Sequence, residues 1–135
     1  MENYHVKVLI AFGEAIDMKK KFSNWLLNNG FPELAALAAA IHSSNEAFNW
    51  LMKHKYYHFA AFSKALYDDE KAYRWLKTNN FRILSLIVDA ANDDEKAKNW
   101  FKKKDLKIFI VLSTKIKNAV RNKKTDFEDY HKFNF

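Results

Sequence analysis

The four tryptophans of this 135-residue chain are separated by a constant 25 residues, and this spacing constrains the fold more than any other feature. They are Trp25, Trp50, Trp75 and Trp100. Apolar columns at six, nine, twelve and sixteen positions after each tryptophan recur with the same period. Self-similarity at a fixed period of roughly 20 to 50 residues is the signature of a repeat protein. The sequence therefore predicts about five copies of one structural unit.

Each unit contains two apolar patches with helical spacing. The four apolar columns lie three or four residues apart, which places them on one face of a helix. The second patch is an Ala-x-x-Trp-Leu pattern, as in Ala72, Trp75 and Leu76. We therefore expect a longer and a shorter helix in each unit, with the tryptophans as the structural core of the repeat. On this interpretation, Trp75→Ala costs about 3–5 kcal/mol of stability.

Polar residues mark the boundaries between the predicted helices. Ser43, Asp68 and Asp93 are expected to begin the short helices, because a side-chain oxygen at that point accepts a hydrogen bond from a free backbone N–H group. Asn29 and Gly30 are expected to end the first short helix, since both residue types tolerate the left-handed conformation of a helix C-terminus.

These boundaries divide the chain into one helical-repeat domain, 1–124, and an aromatic tail, 125–135. The units lie near 1–24, 25–49, 50–74, 75–99 and 100–124. The last helix is expected to end near Lys123. The tail contains Phe127, Tyr130, Phe133 and Phe135. It is expected either to fold back over the last repeat as a cap or to remain frayed.

A 25-residue helix pair cannot bury both of its faces alone, so the units are expected to stack. The period and the helix pairing over residues 1 to about 117 resemble the short members of the α-solenoid class, such as HEAT-like arrays and leucine-rich-repeat variant proteins. This resemblance rests on period and pairing alone. It implies an all-α protein, an α-solenoid of about five two-helix repeats stacked into a right-handed superhelix.

Composition narrows the possible chemistry. The chain has no cysteine, which excludes disulfides, thiolate-held metals and thiol nucleophiles. Its two glycines, Gly13 and Gly30, do not form a phosphate-binding loop. No apolar run approaches the length of a membrane-spanning helix, and the first residues do not have the pattern of a signal peptide. We predict a non-enzymatic, cytoplasmic protein without a cofactor, a metal site or a membrane segment.

The net charge of +7 is concentrated at the C-terminal end. Residues 96–135 carry 12 Lys and Arg against 4 Asp and Glu, whereas residues 1–95 carry 11 against 12. Because lysine dominates, this patch is expected to contact backbone phosphates rather than bases if it binds nucleic acid. The alternative is a solvated end of the array. The candidate anion or nucleic-acid patch comprises Lys96, Lys102, Lys103, Lys104, Lys107, Lys115, Lys117, Arg121, Lys123 and Lys124.

A second candidate surface consists of large apolar residues at repeat positions that are expected to face solvent. Its members are Ile83, Leu86, Ile108 and Val111. An exposed apolar patch of this kind is typical of a partner surface. Alternatively, tighter curvature or the aromatic tail buries it.

The function that these features favour is a protein-interaction module or scaffold built from helical repeats, with an unidentified protein partner. The alternative is binding of the nucleic-acid phosphate backbone through the lysine-rich C-terminal repeat. Salt distinguishes the two, because affinity for phosphates falls steeply as the salt concentration rises.

Overall fold

The computed structural model describes the backbone of residues 1–133 and the side chains of residues 1–125. This part of the chain is all-α and forms nine helices. They are α1 (Val6–Ile16), α2 (Lys20–Asn28), α3 (Pro32–Ile41), α4 (Asn45–Lys53), α5 (Tyr57–Ala65), α6 (Glu70–Thr78), α7 (Arg82–Ala91), α8 (Glu95–Lys103) and α9 (Ile108–Phe133). No described helix is both long and apolar enough to cross a membrane.

The helices form two layers. The odd-numbered helices contact one another in chain order, from α1 to α3, α5, α7 and α9. Within the described residues, each of the even-numbered helices α2, α4, α6 and α8 contacts only the two odd-numbered helices that flank it. We call these four the outer helices. The contacts between neighbouring helices fit a stack of two-helix units.

The first and last units also contact each other. Helix α9 packs against α1 as well as against α7. A Cβ atom added to Gly13 would lie 3.1 Å from Leu112 Cδ2, and the ammonium group of Lys115 forms an ion pair with Asp17. In a linear array each unit contacts only its neighbours. The odd-numbered helices therefore form a closed set of contacts rather than an open row.

Each of the eight corners between consecutive helices contains one residue in the left-handed conformation. These residues are Met18, Gly30, Ser43, Lys55, Asp68, Asn80, Asp93 and Asp105. A left-handed residue ends a helix and lets the next backbone N–H bond back to a carbonyl in its last turn. The predicted helix end at Asn29 and Gly30 is confirmed, since α2 ends at Asn28 and Gly30 has a φ of +87°.

The predicted N-caps are wrong by one residue. Ser43, Asp68 and Asp93 are the left-handed residues, and the following residue in each corner is the N-cap. These N-caps are Ser44, Asp69 and Asp94, and each side chain accepts a bond from a backbone N–H in the first turn. The shift arises because the preceding helix must be closed before the next one can begin.

The burial of the tryptophans corrects the predicted core role of Trp25 and Trp75, whereas Trp50 and Trp100 are partly buried and pack against the core. Trp75 is 38% exposed, whereas the adjacent Leu76 is fully buried. Likewise, Trp25 is 40% exposed beside the fully buried Leu26. Trp50 and Trp100 are half-buried. Three tryptophans stack on the aromatic ring six residues later, as Trp75 does on Phe81 at 5.6 Å between ring centroids. Three of the tryptophans therefore pack at the corners, and the residue after each of the four is fully buried in the core.

Helix α9 departs most from the repeat pattern. We expected it to end near Lys123, but it continues to Phe133. Ala119 and Val120 are buried, and Lys117 and Lys124 form ion pairs with Asp93 and Asp68 at the ends of α7 and α5. Residues 117–124 of α9 thus cover one end of the helix assembly. The predicted cap of aromatic side chains lies outside the described residues.

Candidate functional site

The predicted apolar surface is largely in contact with the core. Ile83, Leu86 and Ile108 are partly buried and pack against the hydrophobic core. Val111 is 49% exposed. Three of the four residues therefore have a structural role, and one apolar side chain of the set remains well exposed.

The predicted basic patch divides into two groups. Lys115, Lys117 and Lys124 form ion pairs with acidic residues at the ends of α1, α7 and α5. The other members of the patch are exposed and form no ion pair among the described residues; they are Lys96, Lys102, Lys103, Lys104, Lys107, Arg121 and Lys123. The paired lysines hold α9 in place, so they are less available to a ligand.

The paired groups have altered proton affinities. The hydrogen bond from Lys117, followed by that from Lys98, lowers the pKa of Asp93. The hydrogen bond to Asp17 raises the pKa of Lys115 against the opposing effect of burial. Both shifts favour the charged forms, as expected for groups that bind each other.

A buried carboxylate lies in the first turn of α3. Glu33 is 8% exposed, and its Oε2 accepts a hydrogen bond of 3.3 Å from the Tyr4 hydroxyl. Its Oε1 has no hydrogen-bond partner within the described structure. Burial, followed by the charge of Glu33, raises the pKa of Tyr4.

The described residues do not bring three His, Asp or Glu side chains together in a group suited to a metal ion.

The outer helices leave a series of grooves on the surface. Consecutive outer helices do not contact each other among the described residues, and the odd-numbered helix between them forms the floor. The first groove lies between α2 and α4 over α3, the second between α4 and α6 over α5, and the third between α6 and α8 over α7. Equivalent repeat positions line a cavity in each, of about 600, 110 and 250 Å³ respectively.

A pair of side chains explains why the second and third grooves are small. In the second groove the Lys64 ammonium lies 4.4 Å from the centre of the Phe48 ring. In the third groove the Tyr73 hydroxyl donates a 2.7 Å hydrogen bond to Asp89. In each pair, an aromatic residue from an outer helix meets a charged residue from the floor. The pair fills the groove with the protein's own side chains.

The first groove lacks this pair. The equivalent repeat positions hold Ser23 on α2 and Ala39 on α3. The floor is continued by Ala35 and Ala36, and the half-buried Trp50 lies on the α4 side. Small residues at these positions leave the groove open along the two helices.

Apolar side chains lie at the rim of the first groove. Met18 is 70% exposed and Leu27 is 53% exposed. The residues equivalent to Met18 are Ser43, Asp68 and Asp93, and those equivalent to Leu27 are Met52, Lys77 and Lys102. The rim thus exposes apolar groups where most other repeats carry polar ones. Sequence reasoning missed this groove: the small residues Ser23 and Ala39 are visible in the sequence, but the contact between Phe48 and Lys64 that gives them significance is not.

The two sides of the first groove carry opposite charges at one end. Lys20 lies at the start of α2 and Glu46 at the start of α4, and both line the groove. The N-terminus of α2 has no side-chain cap, whereas Ser44 Oγ caps α4 by accepting a 3.1 Å bond from the Ala47 N–H. The free N–H groups and Lys20 together favour an acidic group beside α2.

Comparison of the chain with protein-family models, with curated proteins and with solved structures finds no match.

Proposed function

We propose that this protein is a non-enzymatic protein-interaction module built from helical repeats. The observation that carries the proposal is the first groove, about 600 Å³ of open surface with exposed apolar side chains at its rim. Exposed apolar surface of this kind is costly in water and is typical of partner sites. The cytoplasmic location remains a prediction.

We also propose that the units form a short α-solenoid with a right-handed superhelical path. Contacts between successive odd-numbered helices support the stacking. The contact between α1 and α9 gives this solenoid a compact form, because the first unit packs against the fifth. The grooves on its outer surface then follow from the spacing of the short helices.

Affinity capture from the native lysate tests the proposed function. We expect the immobilised protein to retain a specific protein partner, with nuclease treatment leaving the retention unchanged. Failure to retain any protein above the level of a bead control would contradict the proposal. Retention that disappears after nuclease treatment would instead favour the alternative function.

The alternative function is binding of nucleic-acid phosphates. The observation that favours it is the exposed cluster Lys102, Lys103, Lys104 and Lys107, which has no ion pair among the described residues. A structural role also accounts for two of these lysines, since Lys102 and Lys103 lie in the last turn of α8, where cations interact well with the helix dipole.

Salt titration with labelled duplex and single-stranded DNA tests this alternative. If the lysine cluster binds phosphates, fluorescence anisotropy should show binding at low salt that weakens with a slope set by the number of phosphates contacted. The double variant Lys102→Glu, Lys103→Glu should lose this binding. No binding at low salt would eliminate the alternative.

A further inference from the structure

We infer that the first groove binds an amphipathic helix of a partner protein, with an acidic residue of that helix placed beside Lys20. This inference deepens the proposed function and rests on it. It assigns the site, the secondary structure of the occupant and the orientation of its charges.

The break in the repeat pattern is the first argument. Phe48 with Lys64, and Tyr73 with Asp89, close the second and third grooves. The first groove has Ser23 and Ala39 at the equivalent positions, so it lacks both members of the pair. Loss of one large residue would be an ordinary sequence variation. Loss of both, together with apolar residues at the rim, leaves a surface that a partner can fill.

The shape of the groove is the second argument. Ala35, Ala36 and Ala39 cover about one helical turn of α3 and present methyl groups as the floor. Small residues allow helix axes to approach to about 8 Å, the short end of the usual range. A small-molecule site would instead enclose most of its ligand. An open channel between two helices with an alanine floor fits an added helix better.

The charges are the third argument, and they orient the occupant. Lys20 and the uncapped N-terminus of α2 lie on one side, and Glu46 lies on the other. A bound helix therefore gains an attractive contact from an acidic residue facing α2. A basic residue facing Glu46 adds a second contact of the same kind. Charge complementarity of this type fixes orientation more than it adds affinity.

A displayed library of amphipathic helical peptides provides the probe. The peptides carry large apolar residues along one face, with the flanking positions randomised among Glu, Lys and Ser. We expect selection on the immobilised 135-residue protein to enrich peptides with an acidic residue on one flank near one end of the apolar face. Reversal of charge in Lys20→Glu should shift the selected flank from Glu to Lys.

Filling the groove tests the site directly. The double variant Ser23→Phe, Ala39→Lys introduces the Phe48 and Lys64 pair at the equivalent positions. We expect the affinity of the selected peptides to fall by at least about tenfold, the loss of one strong interface contact. The matched control is Thr114→Lys, which places the same side chain at the equivalent exposed position of α9. It should leave the affinity within about twofold, well under the tenfold effect of losing a strong contact.

A second variant keeps the test decisive if the double variant fails to fold. Leu27→Lys changes an exposed rim residue to the lysine that Lys77 and Lys102 provide at the same repeat position. It should retain the circular dichroism spectrum and melting profile of the wild type and still weaken peptide binding.

Equal affinity of the wild type and a folded groove variant would overturn the inference, as would selection of no peptides. A dimer that disappears in the filled variant would also overturn it, because it would assign the groove to a second copy of the chain. These outcomes are distinct from failure of the proposed function. A partner captured from lysate equally by Ala39→Lys and by the wild type would reject the groove and leave the interaction module standing.

Discussion

The corner residues show how individual side chains limit the stability of this fold. Every corner requires one left-handed residue, but glycine fills this position only at Gly30. Other residues pay a steric cost in this conformation of about 1–2 kcal/mol, least for Asn and Asp. Lys55 and Met18 have neither a small side chain nor a local hydrogen-bonding group to offset it. The corners therefore store strain at defined positions.

Lys55→Gly should stabilise the protein by up to about 1 kcal/mol, since relief of the left-handed strain exceeds the added flexibility of the unfolded chain. Gly30→Ala should have the opposite effect, a loss of about 1 kcal/mol, although its Cβ would meet no atom within 4 Å. Urea denaturation of both variants measures the two changes. Equal signs for the two substitutions would contradict this explanation.

The residue after each tryptophan should matter more to stability than the tryptophan itself. We expect Leu76→Ala to cost about 2–5 kcal/mol, because it opens a cavity in the core. Trp75→Ala removes a partly exposed ring and its stacking on Phe81, so it should cost less. Chemical denaturation of both variants tests the order. A larger loss for Trp75→Ala would restore the tryptophan column as the core.

At the scale of elements, α9 extends well beyond the length of the other odd-numbered helices. Its first half occupies the position of a long helix next to α7. Its continuation does not turn back as an outer helix would, but runs on over the ends of α5 and α7, with Val120 buried. Residues 117–124 of α9 therefore cover the ends of α5 and α7.

Removing the contact of Val120 should loosen this end of the molecule. Val120→Ala deletes two buried methyl groups, which should cost about 2 kcal/mol. Asn118→Ala is the matched control, because Asn118 is exposed on the same segment. Hydrogen exchange should accelerate at the C-terminal ends of α5 and α7 in the first variant alone. Unchanged exchange in Val120→Ala would show that α9 does not stabilise them.

The Tyr73 hydroxyl in the third groove should make the stability of the protein depend on pH. Burial, followed by the hydrogen bond to Asp89, raises the pKa of Tyr73 to about 12 from its ordinary value of 10.0. The folded state thus favours the protonated phenol, so its contribution is complete below pH 10 and is lost as the pH rises toward 12. The stability difference between the wild type and Tyr73→Phe should shrink over this interval. A tyrosinate absorbance that develops near pH 10 for Tyr73, by difference from Tyr73→Phe, would contradict the assignment.

Sequence periodicity predicted the helices and corners well but not the surface between the outer helices. Helix existence follows from local spacing of apolar residues, and corner positions follow from residues such as Asn29 and Gly30. The first groove exists because Ser23 and Ala39 are small. Their size has significance only once the structure shows that Phe48 and Lys64, at the equivalent positions, contact each other. The tryptophan error has the same origin, because spacing gives a helical face but not the depth of a side chain within it.

At the scale of the whole molecule, the contact between α1 and α9 couples the two ends of the chain. Gly13 allows this approach, because a Cβ there would lie 3.1 Å from Leu112 and 3.2 Å from Lys115. Leu112 is buried and cannot move freely, whereas the lysine side chain can bend away. A small residue at Gly13 thus permits the close approach of α9, and a side chain larger than a methyl group would have to displace Leu112.

Gly13→Val should destabilise the protein by about 1–3 kcal/mol through overpacking against Leu112. Gly13→Ala should be near neutral, because a gain in helix propensity of about 1 kcal/mol offsets the tighter contact. Thermal unfolding compares the two, and hydrogen exchange in α1 locates the effect. A stabilising Gly13→Val would mean that α1 and α9 do not pack as closely as described.

The contact between α1 and α9 also constrains changes in the number of helix pairs that lie between them. An open array can gain or lose a 25-residue unit by duplication or deletion, because every internal unit meets the same two neighbours. Here an inserted unit would separate Gly13 from Leu112 and Asp17 from Lys115, and a deletion would force them to overlap. The number of helix pairs between α1 and α9 is therefore tied to this contact.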